Sequence, residues 1–153
     1  MKKTVLAITL VVIIMFSIVA GILLFDWGGA EEDKLYIFPL SIGEETYTVT
    51  VWSNYSVSEV SYFGLLKYVT VNFGGCERAT VFCNITVPAD LIWGELSVYH
   101  QDYKQPDDNY TLYSNATHHS LQMSFTHIAA VEQISIKGTE GIEAELMTSS
   151  PSQ

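Results

Sequence analysis

The chain has 153 residues, 48% of them apolar and 16% charged, with a formal net charge of −10. That length holds one globular domain with a membrane or export segment and leaves no room for a second domain. Its few Lys and Arg residues are scattered, which argues against nucleic acid as a partner, because phosphate binding needs clustered cations.

The chain opens on Met1-Lys2-Lys3 and runs without a charge from Thr4 to Phe25, closed by Asp26 and Trp27. As a helix this stretch is about 33 Å long, matching a hydrocarbon core of roughly 30 Å. Helices of soluble cores seldom lack every charge over such a length, so the pattern predicts one transmembrane or signal helix. Lys2 and Lys3 put its N-terminal side in the cytoplasm, and Trp27 suits the outer interface. Residues 1–30 then form an uncleaved signal anchor. A cleaved signal peptide is the alternative, for which Gly28-Gly29-Ala30 supplies small residues. In both cases the following body is exported, held at the cell membrane with its C-terminal domain outside or secreted. All 17 acidic residues lie from Asp26 onward, against five basic ones, so the exported part carries close to −12. Such a charge keeps a surface soluble and names no ligand.

Residues 31–139 alternate apolar and polar with a period of two and hold no long amphipathic helix. Tyr47, Val49 and Val51 alternate with Thr46, Thr48 and Thr50; Val69, Val71 and Phe73 alternate with Tyr68, Thr70 and Asn72. Val81, Cys83, Ile85 and Val87 form one face, with Asn84 and Thr86 on the other. Leu96 and Val98, then Leu121, Met123 and Phe125, then Ile134 and Ile136 repeat the scheme. Each run reads as a half-buried strand. Gly43, Gly64, Gly74-Gly75, Gly94 and Pro106-Asp107-Asp108 punctuate them, and only Ala89 to Trp93 suits a helical turn. Seven or more short strands without intervening helices predict an all-β, immunoglobulin-like antiparallel β-sandwich.

Four of the five asparagines sit in Asn-x-Ser/Thr: Asn54, Asn84, Asn109 and Asn115. With Ser and Thr at roughly 18% of the chain, about one such match arises by chance, so these are candidate glycosylation sites of an exported protein. Cys76 and Cys83 are the two cysteines, and in an oxidising exterior they are expected to form a disulfide; two independent thiols are the rival reading. The spacing and the lack of a second pair disfavour zinc or a redox role.

The succession "YTVTVWSNYSVSEV", "FCNITVPADLIWG", "NATHHSLQMSFTH" and "EQISIKGTEG" resembles a domain of exported archaeal cell-surface proteins. There, similar "FCNVTIP", "THTSLYF" and I-x-I-x-GT patterns recur near the C-terminus, often just before a membrane-anchoring tail. The likeness covers Glu44 to Thr139. It implies a cell-surface location and a β-sandwich, and no catalysis. The present chain departs from the pattern at its end: residues 140–153, "EGIEAELMTSSPSQ", read as a polar flexible tail with no second span. The anchor is therefore expected at the N-terminus.

No constellation for chemistry stands out. His119 has inward parity and His118 outward, so the two cannot chelate one metal from the same face. His100 and Asp102 share a strand face but bring no third ligand, and a metal site would require His100, His119 or His127 to converge on one cleft. Asp107-Asp108-Asn109 lacks the spaced carboxylates of a calcium loop and reads as a turn. Glu44-Glu45 sits at a strand entrance, where solvation accounts for it. There is no Gly-x-Ser-x-Gly and no phosphate-cradling loop. Tyr55, Tyr62, Tyr99, Tyr110 and Tyr113 fall at loop or outward positions, where they suit a pleated surface or serve to stack on sugars. No enzyme activity, metal or cofactor is expected. The sequence predicts a structural or adhesive surface module whose partners are the membrane, surface proteins and glycans. A pilin-like filament subunit and a metal- or sugar-binding domain are the alternatives.

Overall fold

The computed structural model describes residues 33–75 and 78–151. The helix expected over 4–25 lies outside the described residues, as does Cys76. Among the described residues no helix is long and apolar enough to cross a membrane.

Strand β1 (Lys34–Ile42) turns at Gly43-Glu44 into β2 (Glu45–Ser53). Gly43 takes φ +64°, the left-handed region that costs a glycine nothing. β3 (Val57–Phe63) and β4 (Tyr68–Gly74) make the next hairpin, and β5 (Ala79–Pro88) follows. Then come the short strands β6 (Ile92–Trp93), β7 (Ser97–His100) and β8 (Tyr103–Lys104), with a 3₁₀ turn over Asp107–Asn109. β9 (Tyr110–Ser114), β10 (His118–His127), β11 (Val131–Lys137), β12 (Glu140–Gly141) and β13 (Leu146–Ser149) complete the order. Pairing is antiparallel throughout. A first sheet runs β1-β2-β5-β10-β9, a second β13-β3-β4-β11-β7-β8, and β12 pairs with β6 in a two-stranded ribbon.

The two large sheets share one core, because alternation sends every second side chain of each strand toward it. Phe38, Leu40, Val49, Val51, Val81, Ile85, Val87 and Leu121 come from the first sheet. Val60, Tyr62, Val69, Val71, Phe73, Val98, Ile134 and Ile136 come from the second. Each such side chain contributes on the order of 1.5–3 kcal/mol of transfer free energy before entropy is charged against it. The strand faces expected for Val81 through Val87 and for Leu121 through Phe125 are those the fold adopts.

Three expectations need correction. Tyr62 is not outward but wholly buried, and its hydroxyl reaches the carbonyls of Leu91 at 3.2 Å and Ile142 at 2.5 Å. A ring of this size is core volume, and the buried hydroxyl finds the two carbonyls that satisfy it. Residues 140–153 are not a flexible tail throughout: Glu140–Gly141 pairs with β6, and Leu146–Ser149 pairs with β3 in the register Leu146 to Phe63 through Ser149 to Val60. Backbone pairing along β3 and the packing of Met147 against the core hold this segment despite its polar neighbours. Ala89 to Trp93 forms no helix. Leu91 N closes a turn on Pro88 O at 3.1 Å, and the chain then pairs as β6.

Candidate functional site

The four sequon asparagines occupy different settings. Asn115 stands exposed in the turn between β9 and β10, where its Oδ1 accepts from Thr117 N at 2.8 Å, Thr117 Oγ1 at 3.0 Å and His118 N at 2.8 Å. This is an Asx turn, and it leaves the amide nitrogen aimed away from the bonded oxygen. Asn109 is exposed at the end of the 3₁₀ turn, its Nδ2 donating to Gln105 Oε1 at 3.3 Å. Asn54 is tied at both ends of its carboxamide: Nδ2 donates to Thr80 O at 3.1 Å, and Oδ1 accepts from Phe82 N at 2.8 Å. It thereby prolongs the β2–β5 ladder by a side chain. Asn84 lies mid-strand on β5, half-exposed on the outer face of the first sheet, its Oδ1 accepting from Ser120 Oγ at 2.8 Å.

That outer face has a distinct chemistry. One cross-strand row reads Leu35, Trp52, Asn84, Gln122 and Thr111; the next reads Ile37, Thr50, Thr86, Ser120 and Tyr113. No Asp, Glu, Lys or Arg occupies an outward position in these rows, although the chain as a whole carries −10. Trp52 is 51% exposed and Phe82 58% exposed, one across the ladder from Asn84 and the other two residues before it on the same strand. Between them opens a shallow hollow of about 380 Å³ bordered by Asp33, Trp52, Phe82, Asn84 and Gln122. Its size is at the small end of ligand clefts, which run from roughly 300 to 1,000 Å³.

The histidines do not converge. His119 is buried on β10, between Ser114 Oγ at 2.9 Å and Ile92 O at 2.8 Å, while His127 sits at the far end of the same strand against the Tyr55 ring. Eight residues of strand separate them by about 26 Å. His100 and Asp102 do not share a face either, because Gln101 and Asp102 both take positive φ and turn the chain from β7 into β8. Among the described residues no group of three His, Cys, Asp or Glu is placed to hold a metal.

His100 serves a buried carboxylate instead. Glu132 is 2% exposed, and its Oε2 accepts from Gln101 Nε2 at 2.8 Å and lies 2.9 Å from His100 Nε2. Its Oε1 accepts from the backbone N–H groups of Ile128 at 3.2 Å and Ala129 at 3.3 Å. Burial pushes this carboxyl up, but the bonds from Gln101, Ile128 and His100 together outweigh it and hold the group below the usual glutamate range. The arrangement ties the β7–β8 turn to the β10–β11 turn and offers no open position to a substrate. Its signal was present in the sequence, since Glu132 has the inward parity of Ile134 and Ile136.

Cys83 points into the core, buried and without a disulfide partner among the described residues, and burial pushes its thiol up to about 12. Cys76, the other half of the expected disulfide, lies outside the described residues. No protein-family model, curated protein or solved structure matches this chain.

Proposed function

We propose that this chain is a non-catalytic surface module: an immunoglobulin-like β-sandwich, glycosylated and held outside the cell membrane by the segment 4–25. It would belong with the exported archaeal surface domains that its strand motifs resemble. The observation that carries the reading is the disposition of the four sequons. Asn54, Asn84, Asn109 and Asn115 all stay out of the core, at turns, strand ends or an outward face, in a chain that also begins with a membrane-length apolar run. Glycans are bulky and solvated, so a surface built to carry them keeps each acceptor on its outside. Among the described residues the buried carboxylate is closed by its hydrogen bonds and the histidines lie apart on β7 and β10, which favours display over chemistry.

The deciding experiment is mass spectrometry of the mature N-terminus on chain taken from fractionated cells. A terminus near Met1 in the membrane fraction supports the anchored module, and one near Glu31 in the medium supports a secreted form. A terminus near Thr4 in sheared filaments would make it a pilin-like subunit. Unmodified chain in the cytosol ends the proposal.

A further inference from the structure

We propose that Asn84 carries an N-linked glycan whose first sugar lies in the hollow between Trp52 and Phe82, so that the outer face of the first sheet is a built seat for the chain's own saccharide. The inference rests on the surface-module reading, since it requires an exported chain.

Three features meet at this asparagine. Strand geometry places Phe82, Asn84 and Thr86 on one side of β5 with about 6.6 Å between successive members. The aromatic at i−2, the acceptor at i and the sequon threonine at i+2 therefore share a single face. Register then sets Trp52 directly across from Asn84, at a cross-strand separation of about 5 Å between Cβ atoms. Finally, the bond from Ser120 Oγ occupies Oδ1, the oxygen that glycosylation leaves in place, and fixes the amide plane with Nδ2 on the other side. Gln122, opposite Asn84 on β10, lends a carboxamide to sugar hydroxyls.

The two exposed aromatics lack another account. An exposed tryptophan and phenylalanine side by side, on strand positions without charge and with Asp33 at the edge of their hollow, leave apolar area in water, which a small monomer rarely tolerates without use. Sugar rings present one apolar C–H face and a rim of hydroxyls, the complement of an aromatic plate bordered by Asn, Gln, Ser and Thr. Asn54, by contrast, has its carboxamide bonded into the ladder, and Asn115, although Tyr113 two residues before it is 62% exposed, lies past the end of β9 in a turn where no paired strand sets a second aromatic across from it.

The attachment itself needs a donor of one chemical class, a saccharide linked to a membrane lipid through phosphate or diphosphate. Nδ2 of Asn84 forms a bond to the anomeric carbon, the bond from that carbon to the phosphate oxygen breaks, and the lipid phosphate leaves with the electron pair. The nitrogen releases one proton. The transferase that catalyses this is a separate enzyme.

Trypsin isolates the site, because cleavage after Arg78 and Lys104 yields a peptide, 79–104, whose one sequon is Asn84. The full chain from native membranes is mapped by glycopeptide mass spectrometry, then melted before and after enzymatic or chemical removal of the glycan. The expected result is an occupied 79–104 peptide and a Tm that drops by roughly 3–6 °C on deglycosylation. In Phe82→Thr, an exposed replacement that leaves the sequon whole, the glycan remains and the drop shrinks by half or more. A bare 79–104 peptide beside a glycan on the 105–137 peptide overturns this inference and leaves the surface-module reading standing. An equal drop in native and F82T chain overturns the seat between the aromatics. No glycan on any peptide of a cytosolic chain overturns the surface reading itself.

Discussion

Glu132 shows how one side chain can spend charge on architecture. Its carboxylate sits on the core side of β11 with four donors around it, drawn from His100 at the end of β7, Gln101 in the turn that follows, and the N–H groups of Ile128 and Ala129 in the β10–β11 turn. Removing the charge while keeping the shape, as Glu132→Gln does, replaces an acceptor by a donor facing N–H groups. The expected loss is about 1–3 kcal/mol, read by urea unfolding at pH 7. The pH dependence has a definite sign. The folded carboxyl titrates below its unfolded value near 4.3, so its contribution is complete above that value and disappears as pH falls through the lower, folded one. Native chain should therefore lose stability steeply below about pH 4, and the glutamine variant less steeply. Parallel acid profiles for the two chains would mean that the carboxylate is not ionised in the fold.

At the scale of elements, the strands were legible where one face is dry and the other wet. β5 and β10 show this best, since Val81 to Val87 and Leu121 to Phe125 alternate without a break and the fold buries the expected members. Legibility failed where pairing rather than amphipathicity makes the strand. β13 has no apolar face to announce it, yet it docks beside β3, and Tyr62 looked outward because tyrosine is common on either face of a sheet. The setting of Asn84 was half legible: its sequon was plain, but Trp52 became its neighbour only through a register that no local pattern reports. One glycine tests the docking of the C-terminal strand. A methyl built on Gly64 would meet Ala144 N at 2.3 Å and Ile142 O at 2.7 Å, so the segment leading into β13 passes the turn at the end of β3 against bare backbone. Gly64→Ala should destabilise by about 1–3 kcal/mol or more and open β13 first. Hydrogen exchange would report this as lost protection at Met147 and Ser149 while β5 and β10 stay protected.

For the whole molecule, the tension lies between a strongly acidic body and one sheet face without charge. At pH 7 and low salt the acidic charge keeps copies apart, and protonation of the carboxylates weakens that repulsion as the pH falls toward the acidic range. The uncharged face then becomes the surface by which unglycosylated copies meet, because Leu35, 61% exposed and opposite Trp52, extends its apolar area toward β1. A chain beginning at Glu31, made without glycans, should sediment as a monomer at pH 7 in dilute buffer and as larger species near pH 5. Added salt should act in the same direction, since the screening length falls to about 8 Å at physiological ionic strength. Leu35→Lys places a cation on that face without touching the core, and it should restore the monomer at pH 5. Native and L35K chains that associate alike would move the contact to another surface, and glycosylated chain that associates as readily as bare chain would do the same.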